Sequence, residues 1–105
     1  FLFSSFEHDV IAKLRKAWPQ FPGAILYDQE ADPLAKAKAV SAQALHPYLR
    51  SIDEAGIAKA HEAGLMVNVW TVNDPSVMEL FIRWQVDGII TNYPDLLLKL
   101  RESFA

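Results

Sequence analysis

The chain has 105 residues, 51% of them hydrophobic, with no cysteine and a formal net charge of −3. That length suits one domain or part of a larger one, and the apolar content is far above that of a disordered segment. Acids and bases are mixed without a basic stripe, which argues against nucleic acid or an anionic membrane surface as a partner, and the missing cysteine removes disulfides, thiolate nucleophiles and cysteine-ligated zinc.

No apolar run reaches the length of a membrane span, and the opening FLFSSF lacks the basic flank and cleavage pattern of a signal peptide. Any targeting segment would lie outside this chain. On the missing signal and the ordinary acidic balance the expected compartment is cytoplasmic, with periplasmic or secreted locations as alternatives.

FLFSSF (1–6) reads as a strand ending in serines, and EHDVIAKLRKAW (7–18) as an amphipathic helix with Val10, Ile11, Leu14 and Trp18 at helical spacing. WPQFPG (18–23) breaks that helix, because proline cannot continue it and the residue before proline avoids helical angles. AILYDQ (24–29) is a second strand, and DPLAKAKAVSA (32–42) places Asp-Pro as cap and first turn of a short helix. AQALHP (42–47) is the third strand. SIDEAGIAKAHEAGL (51–65) is a helix with Ser51 or Asp53 at its N-cap, with Ile57, Ala60 and His61 on one side and Gly64 just past its end. MVNVWTV (66–72) is the fourth strand. NDPSVMELFIRW (73–84) repeats the cap with Asp74 and Pro75, and turns Val77, Met78, Phe81 and Ile82 inward. DGIITNYP (87–94) is the fifth strand, and PDLLLKLRESF (94–104) opens the last helix with proline.

Five strand-helix units at a spacing of roughly twenty residues predict parallel strands covered by helices, an α/β fold. In such folds ligands sit at the carboxyl ends of the strands. Those ends are Ser4-Ser5-Phe6, Tyr27-Asp28-Gln29, His46-Pro47-Tyr48, Trp70-Thr71 with Asn73, and Thr91-Asn92-Tyr93. The set is polar, aromatic and nearly neutral, as a small polar ligand would require.

VWTVNDP (69–75) with the helix after it, and VDGIITNYPDLL (86–97), resemble the C-terminal signature of the glycerophosphodiester phosphodiesterase family. SSFEHDVIAKLR (4–15) is similar to that family's serine-phenylalanine strand end and helix, and LHPYLRSIDEAGIAKAHEAGLMVNVW (45–70) extends the likeness over essentially the whole chain. The resemblance implies a TIM-type β/α barrel of the phospholipase C-like phosphodiesterase kind. It implies an enzyme that uses a divalent metal, Mg or Ca, to hydrolyse small-molecule glycerophosphodiesters to an alcohol and glycerol 3-phosphate. It also places that family's catalytic histidines, in a His-Arg-Gly and a His-Asp motif, upstream of anything in this chain. The same holds for its metal ligands, a Glu-x-Asp pair and the glutamate of a Glu-x-Lys strand. A complete eight-stranded barrel usually needs about 200 residues or more. Residues 1–105 are therefore expected to be the last five of eight units, inactive alone, lining the substrate pocket and needing an N-terminal half or self-association.

Individual residues carry two readings each. His46, before Pro47 at a strand end, is a ligand contact or local structure; with no acid at ligand spacing it is not a metal site. Trp70 resembles the family's substrate-side aromatic and is otherwise a barrel-filling side chain, and Phe6, at the serine-phenylalanine strand end, is a candidate substrate contact. Asn73 is a substrate contact or, with Asp74, part of a helix cap. Thr91 and Asn92 precede a proline-started helix whose free amides could accept a phosphate, or they cap it. His8 and His61 belong to helix packing or solvent, Tyr27 and Asp28 to the rim, and EADPLAKAK (30–38) to a solvated helix face. Ser4 and Ser5 show no histidine-carboxylate partner in evident register, which argues against a nucleophilic serine. Two other readings of the whole chain are a flavodoxin-like binding module, for which no glycine-rich phosphate loop follows Phe6, and a non-catalytic half-barrel that associates with itself.

Overall fold

Apolar residues at every second position make strands that bury one face, and aspartate or proline at the strand ends starts the helices that cover it. In the computed structural model, which describes residues 2–104, the elements are β1 (Phe3–Ser5), α1 (His8–Ala17), β2 (Gly23–Tyr27), α2 (Pro33–Ala39), β3 (Ala44–Pro47), α3 (Glu54–Glu62), β4 (Met66–Val69), α4 (Pro75–Arg83), β5 (Gly88–Ile89) and α5 (Pro94–Glu102). They fall in the predicted order. Phe1, the start of the first predicted strand, lies outside the described residues. β5 is shorter than the predicted strand, although its pairing continues at Ile90, whose amide donates to Val69 and whose carbonyl accepts from Val72.

All strand pairs are parallel and the sheet order is β1-β2-β3-β4-β5. Ile25, Tyr27, Leu45, Val67 and Val69 face the helices and are buried with Ile11, Ala37, Ile57, Ala60, Met78 and Phe81. Full burial of each large aliphatic or aromatic side chain in that layer stabilises the fold by about 1.5–3 kcal/mol. The alternate residues, Ser4, Leu26, His46, Met66, Asn68 and Gly88, belong to the opposite face, which no helix covers. Sequential order with helices on one face is an arc of a β/α barrel. A doubly wound fold reverses strand order and puts helices on both faces, so the flavodoxin-like alternative is overturned.

Aspartates supply three of the caps. Asp32 Oδ1 accepts from the Ala35 amide at 3.2 Å, Asp53 Oδ1 from the Gly56 amide at 2.8 Å, and Asp74 Oδ1 from the Ser76 amide at 2.8 Å and its hydroxyl at 2.7 Å. The Ser76 contacts hold the Asp74 carboxyl below its ordinary range. Of the two cap candidates for α3, Asp53 takes the role, and the Ser51 hydroxyl donates to the Asp28 carbonyl instead. Of the two roles expected for His61, packing or solvent, it takes the solvent side: it is exposed, with Nε2 2.8 Å from Asp87 Oδ2, which also accepts the Val67 amide at 2.7 Å. That pair ties the end of α3 to the starts of β4 and β5.

Candidate functional site

The uncovered face and the carboxyl ends of the strands meet at Trp70. Its backbone extends the sheet, donating to the Pro47 carbonyl at 3.1 Å and accepting from the Leu49 amide at 2.8 Å. Its indole Nε1 donates to the His46 carbonyl at 2.8 Å. The ring packs edge-on to Phe6 at 5.8 Å between centroids and tilted against Tyr48 at 5.2 Å. Phe6 stays 58% exposed, so this aromatic cluster presents ring surface outward while its centre is pinned.

His46 lies below that cluster and is 7% exposed. Its Nδ1 is 2.9 Å from the Ser4 hydroxyl and its Nε2 is 2.9 Å from the Asn68 side-chain amide. Burial pushes its pKa below the ordinary 6.5, so the ring is neutral at pH 7. A buried neutral imidazole with both nitrogens engaged rigidifies the sheet and offers no charge.

Asn73 and Thr91 form a second cluster on the adjoining loops. Asn73 Oδ1 accepts from the Thr91 hydroxyl at 3.2 Å and the Asn92 amide at 3.0 Å, and Thr91 Oγ1 accepts from the Tyr93 amide at 3.0 Å. Asn73 therefore clasps the loop after β4 to the loop after β5, and Asp74 alone caps α4. Thr91 holds the turn into α5, whose N-cap is Tyr93. Tyr27 is not on this surface. It points to the helix side, where a cavity of about 440 Å³ lies between α2 and α3, lined also by Leu34, Leu45, Arg50 and Lys59. Burial, with Glu30 nearby, pushes the Tyr27 phenol up to about 12. His8 packs as a tether, its Nε2 3.1 Å from the Leu26 carbonyl.

Of the five candidates, direct contacts join Phe6, His46 and Trp70, and others join Asn73 to Thr91. Sequence reasoning missed Asn68 and the Ser4–His46 contact, and it left Tyr48 as one strand-end residue among many. Parity was the available signal for Asn68, since it stands two residues before Trp70 and so on the same face. Among the described residues no group of three or more histidines, cysteines or acids could hold a metal ion, and no carboxylate touches His46. These residues do not fit a divalent-metal site.

Parallel β/α units in sequential order, with helices on one face, define an arc of a β/α barrel. The glycerophosphoryl diester phosphodiesterase family profile matches residues 1–96, and the chain belongs to that family. A glycerophosphodiester phosphodiesterase of Caldanaerobacter subterraneus subsp. tengcongensis is 31% identical over 100 residues, covering 94% of this chain and 41% of that protein. One of Bacillus altitudinis is 29% identical over 105 residues, covering 97% and 43%. Among solved structures, an Oleispira antarctica phosphodiesterase in complex with the product sn-glycerol-3-phosphate matches with a TM-score of 0.89 at 20% identity, over 96% of this chain and 41% of that one. A glycerophosphodiester phosphodiesterase from Parabacteroides distasonis matches with a TM-score of 0.85 at 24% identity, over 97% and 43%. The shared fold is the TIM-type barrel, and the chain spans roughly two-fifths of the length of the curated relatives it matches.

Proposed function

We propose that the chain is the C-terminal part of a metal-dependent phosphodiesterase that hydrolyses glycerophosphodiesters to an alcohol and glycerol 3-phosphate, and that it forms one wall of the substrate pocket. The observation that carries this reading is the Phe6–Tyr48–Trp70 cluster standing over neutral His46 on the uncovered face. The exposed Phe6 ring and the half-buried Tyr48 and Trp70 rings suit the glycerol or alcohol portion, and the fixed polar groups orient it. Family membership supports the reaction class. Acid-base groups and metal ligands come from strands that these residues do not include, so the wall binds and orients but does not cleave.

Titration with sn-glycerol 3-phosphate, followed by heat and by tryptophan fluorescence, tests the wall. Trp70→Ala should weaken saturable binding by about tenfold, as expected for loss of a desolvated aromatic contact. Binding that is absent, or indifferent to that change, would sink the reading. An assay of glycerophosphodiester hydrolysis with Mg²⁺ or Ca²⁺ should show no turnover by the 105-residue chain alone and turnover once the upstream strands are supplied.

The uncovered face also favours a second reading, a half-barrel that pairs with a further copy of itself. Met66 is 42% and Ile90 43% exposed there, and β1 and β5 are open edges.

A further inference from the structure

The contacts of His46 determine which of its nitrogens carries the proton. A neutral imidazole bonded at both nitrogens has one hydrogen to place, and a neighbour that can only donate forces the adjacent nitrogen to accept. Asn68 presents its Nδ2 to Nε2 at 2.9 Å, and an amide nitrogen only donates. The other end of the amide, Oδ1, turns toward Gly88 and fills space 2.5 Å from where a Cβ would stand on residue 88. Nε2 is therefore the lone-pair nitrogen, and Nδ1–H donates to the Ser4 hydroxyl oxygen at 2.9 Å.

Ser4 then accepts from the ring, so its own hydrogen must point elsewhere. Its side chain is exposed on the uncovered face, two residues before Phe6. We propose that Asn68 fixes His46 as the Nδ1–H tautomer, and that the Ser4 hydroxyl is thereby a committed hydrogen-bond donor to an anionic phosphate oxygen of the ligand. The donor role rests on the proposed phosphodiester site, whereas the tautomer stands on geometry alone. Burial of the ring, which keeps it neutral, is consistent with both. The arrangement also explains why serine, histidine and asparagine in a row do not make a nucleophile here. A nucleophilic serine needs a ring nitrogen free to take its proton, and the nitrogen facing Ser4 already holds one.

Imidazole ¹⁵N resonances of the labelled protein read the tautomer directly, with His46→Gln identifying the signal against His8 and His61. The wild type should show Nδ1–H. Asn68→Asp, a near-isosteric change to a group that only accepts, should switch the ring to Nε2–H. Ser4→Ala should leave Nδ1–H in place while weakening inorganic phosphate and sn-glycerol 3-phosphate binding by about tenfold, the scale of a hydrogen bond to a charged group. An Nε2–H ring in the wild type overturns the assignment, as does a tautomer that follows Ser4 rather than Asn68. Phosphate affinity untouched by Ser4→Ala overturns the donor role. Correct tautomers with no ligand binding even in the wild type would refute the pocket reading, and the donor role with it, while upholding the Asn68 lock.

Discussion

Gly88 and His46 show how single atoms set the character of the uncovered face. A Cβ at residue 88 would stand 2.5 Å from Asn68 Oδ1, and forcing extra volume into a packed contact costs about 1–3 kcal/mol. Gly88→Ala should destabilise the chain on that scale in denaturant unfolding, and release Asn68 from His46. For His46, burial holds the folded pKa below the ordinary 6.5, so below that pH the unfolded chain binds a proton that the folded chain refuses. Stability therefore falls as pH drops from 6.5 toward the depressed folded value. Thermal midpoints across that window should show the acid loss, and His46→Gln should flatten it. At the phenol the sign is reversed along the axis: with Tyr27 raised from 10.0 to about 12, the unfolded chain ionises first and stability falls above pH 10. Tyr27→Phe should remove that alkaline loss. Legibility at this scale was uneven. Trp70 and Phe6 stand out as aromatics at strand ends, but the Ser4–His46 bond joins residues 42 apart, across an intervening strand, and only register reveals it.

At the scale of elements, the helix starts were readable and the helix ends only partly so. Asp-Pro at residues 32–33 and 74–75 announces a cap and a pre-set first turn, and both helices begin there. Removing such a cap costs about 0.5–2 kcal/mol, and Asp53→Ala should lower the unfolding midpoint accordingly. Three helices end alike: Ser41 at φ 58°, Gly64 at φ 79° and Gln85 at φ 63° each turn left-handed. The amides that follow, Ala42, Leu65 and Val86, then reach back to the carbonyls of Ala37, Ala60 and Phe81. With the amides of Ser41, Gly64 and Gln85 donating to the carbonyls of Lys38, His61 and Ile82, this double closure satisfies carbonyls that the helix end would otherwise leave open. Glycine marks one of the three in advance, but serine and glutamine give no such notice, because the demand for positive φ comes from where the next strand must enter. Gln85→Gly should relieve that strain and stabilise the chain by about 0.5–1 kcal/mol, measurable as a raised thermal midpoint.

For the molecule as a whole, periodicity predicted parallel strands under helices but could not supply their order, since the same alternation serves a barrel arc and a doubly wound sheet. The barrel came from the resemblance carried by residues 69–75 and 86–97, and the sequential order of the sheet agrees with it. One face of that sheet is closed by helices and the other exposes Phe6, Met66 and Ile90. Apolar surface beside two open edges drives association. Sedimentation at rising concentration should therefore show mass above 11.8 kDa, and Met66→Lys with Ile90→Lys should reduce it. A strict monomer at all concentrations would count against the half-barrel reading.

Because every strand pairs only with its neighbours in sequence, cooperativity passes along the chain like a current through links in series. β2 and β3 sit inside, with nearly every residue buried, while β1 and β5 are short and half open to solvent. Backbone amides should exchange with deuterium slowest at β2 and β3, faster at β4, and fastest at the two outer strands. The strand ends that carry Phe6 and Thr91 are then the parts most easily loosened, and anything that closes the barrel on both sides would stiffen those residues first.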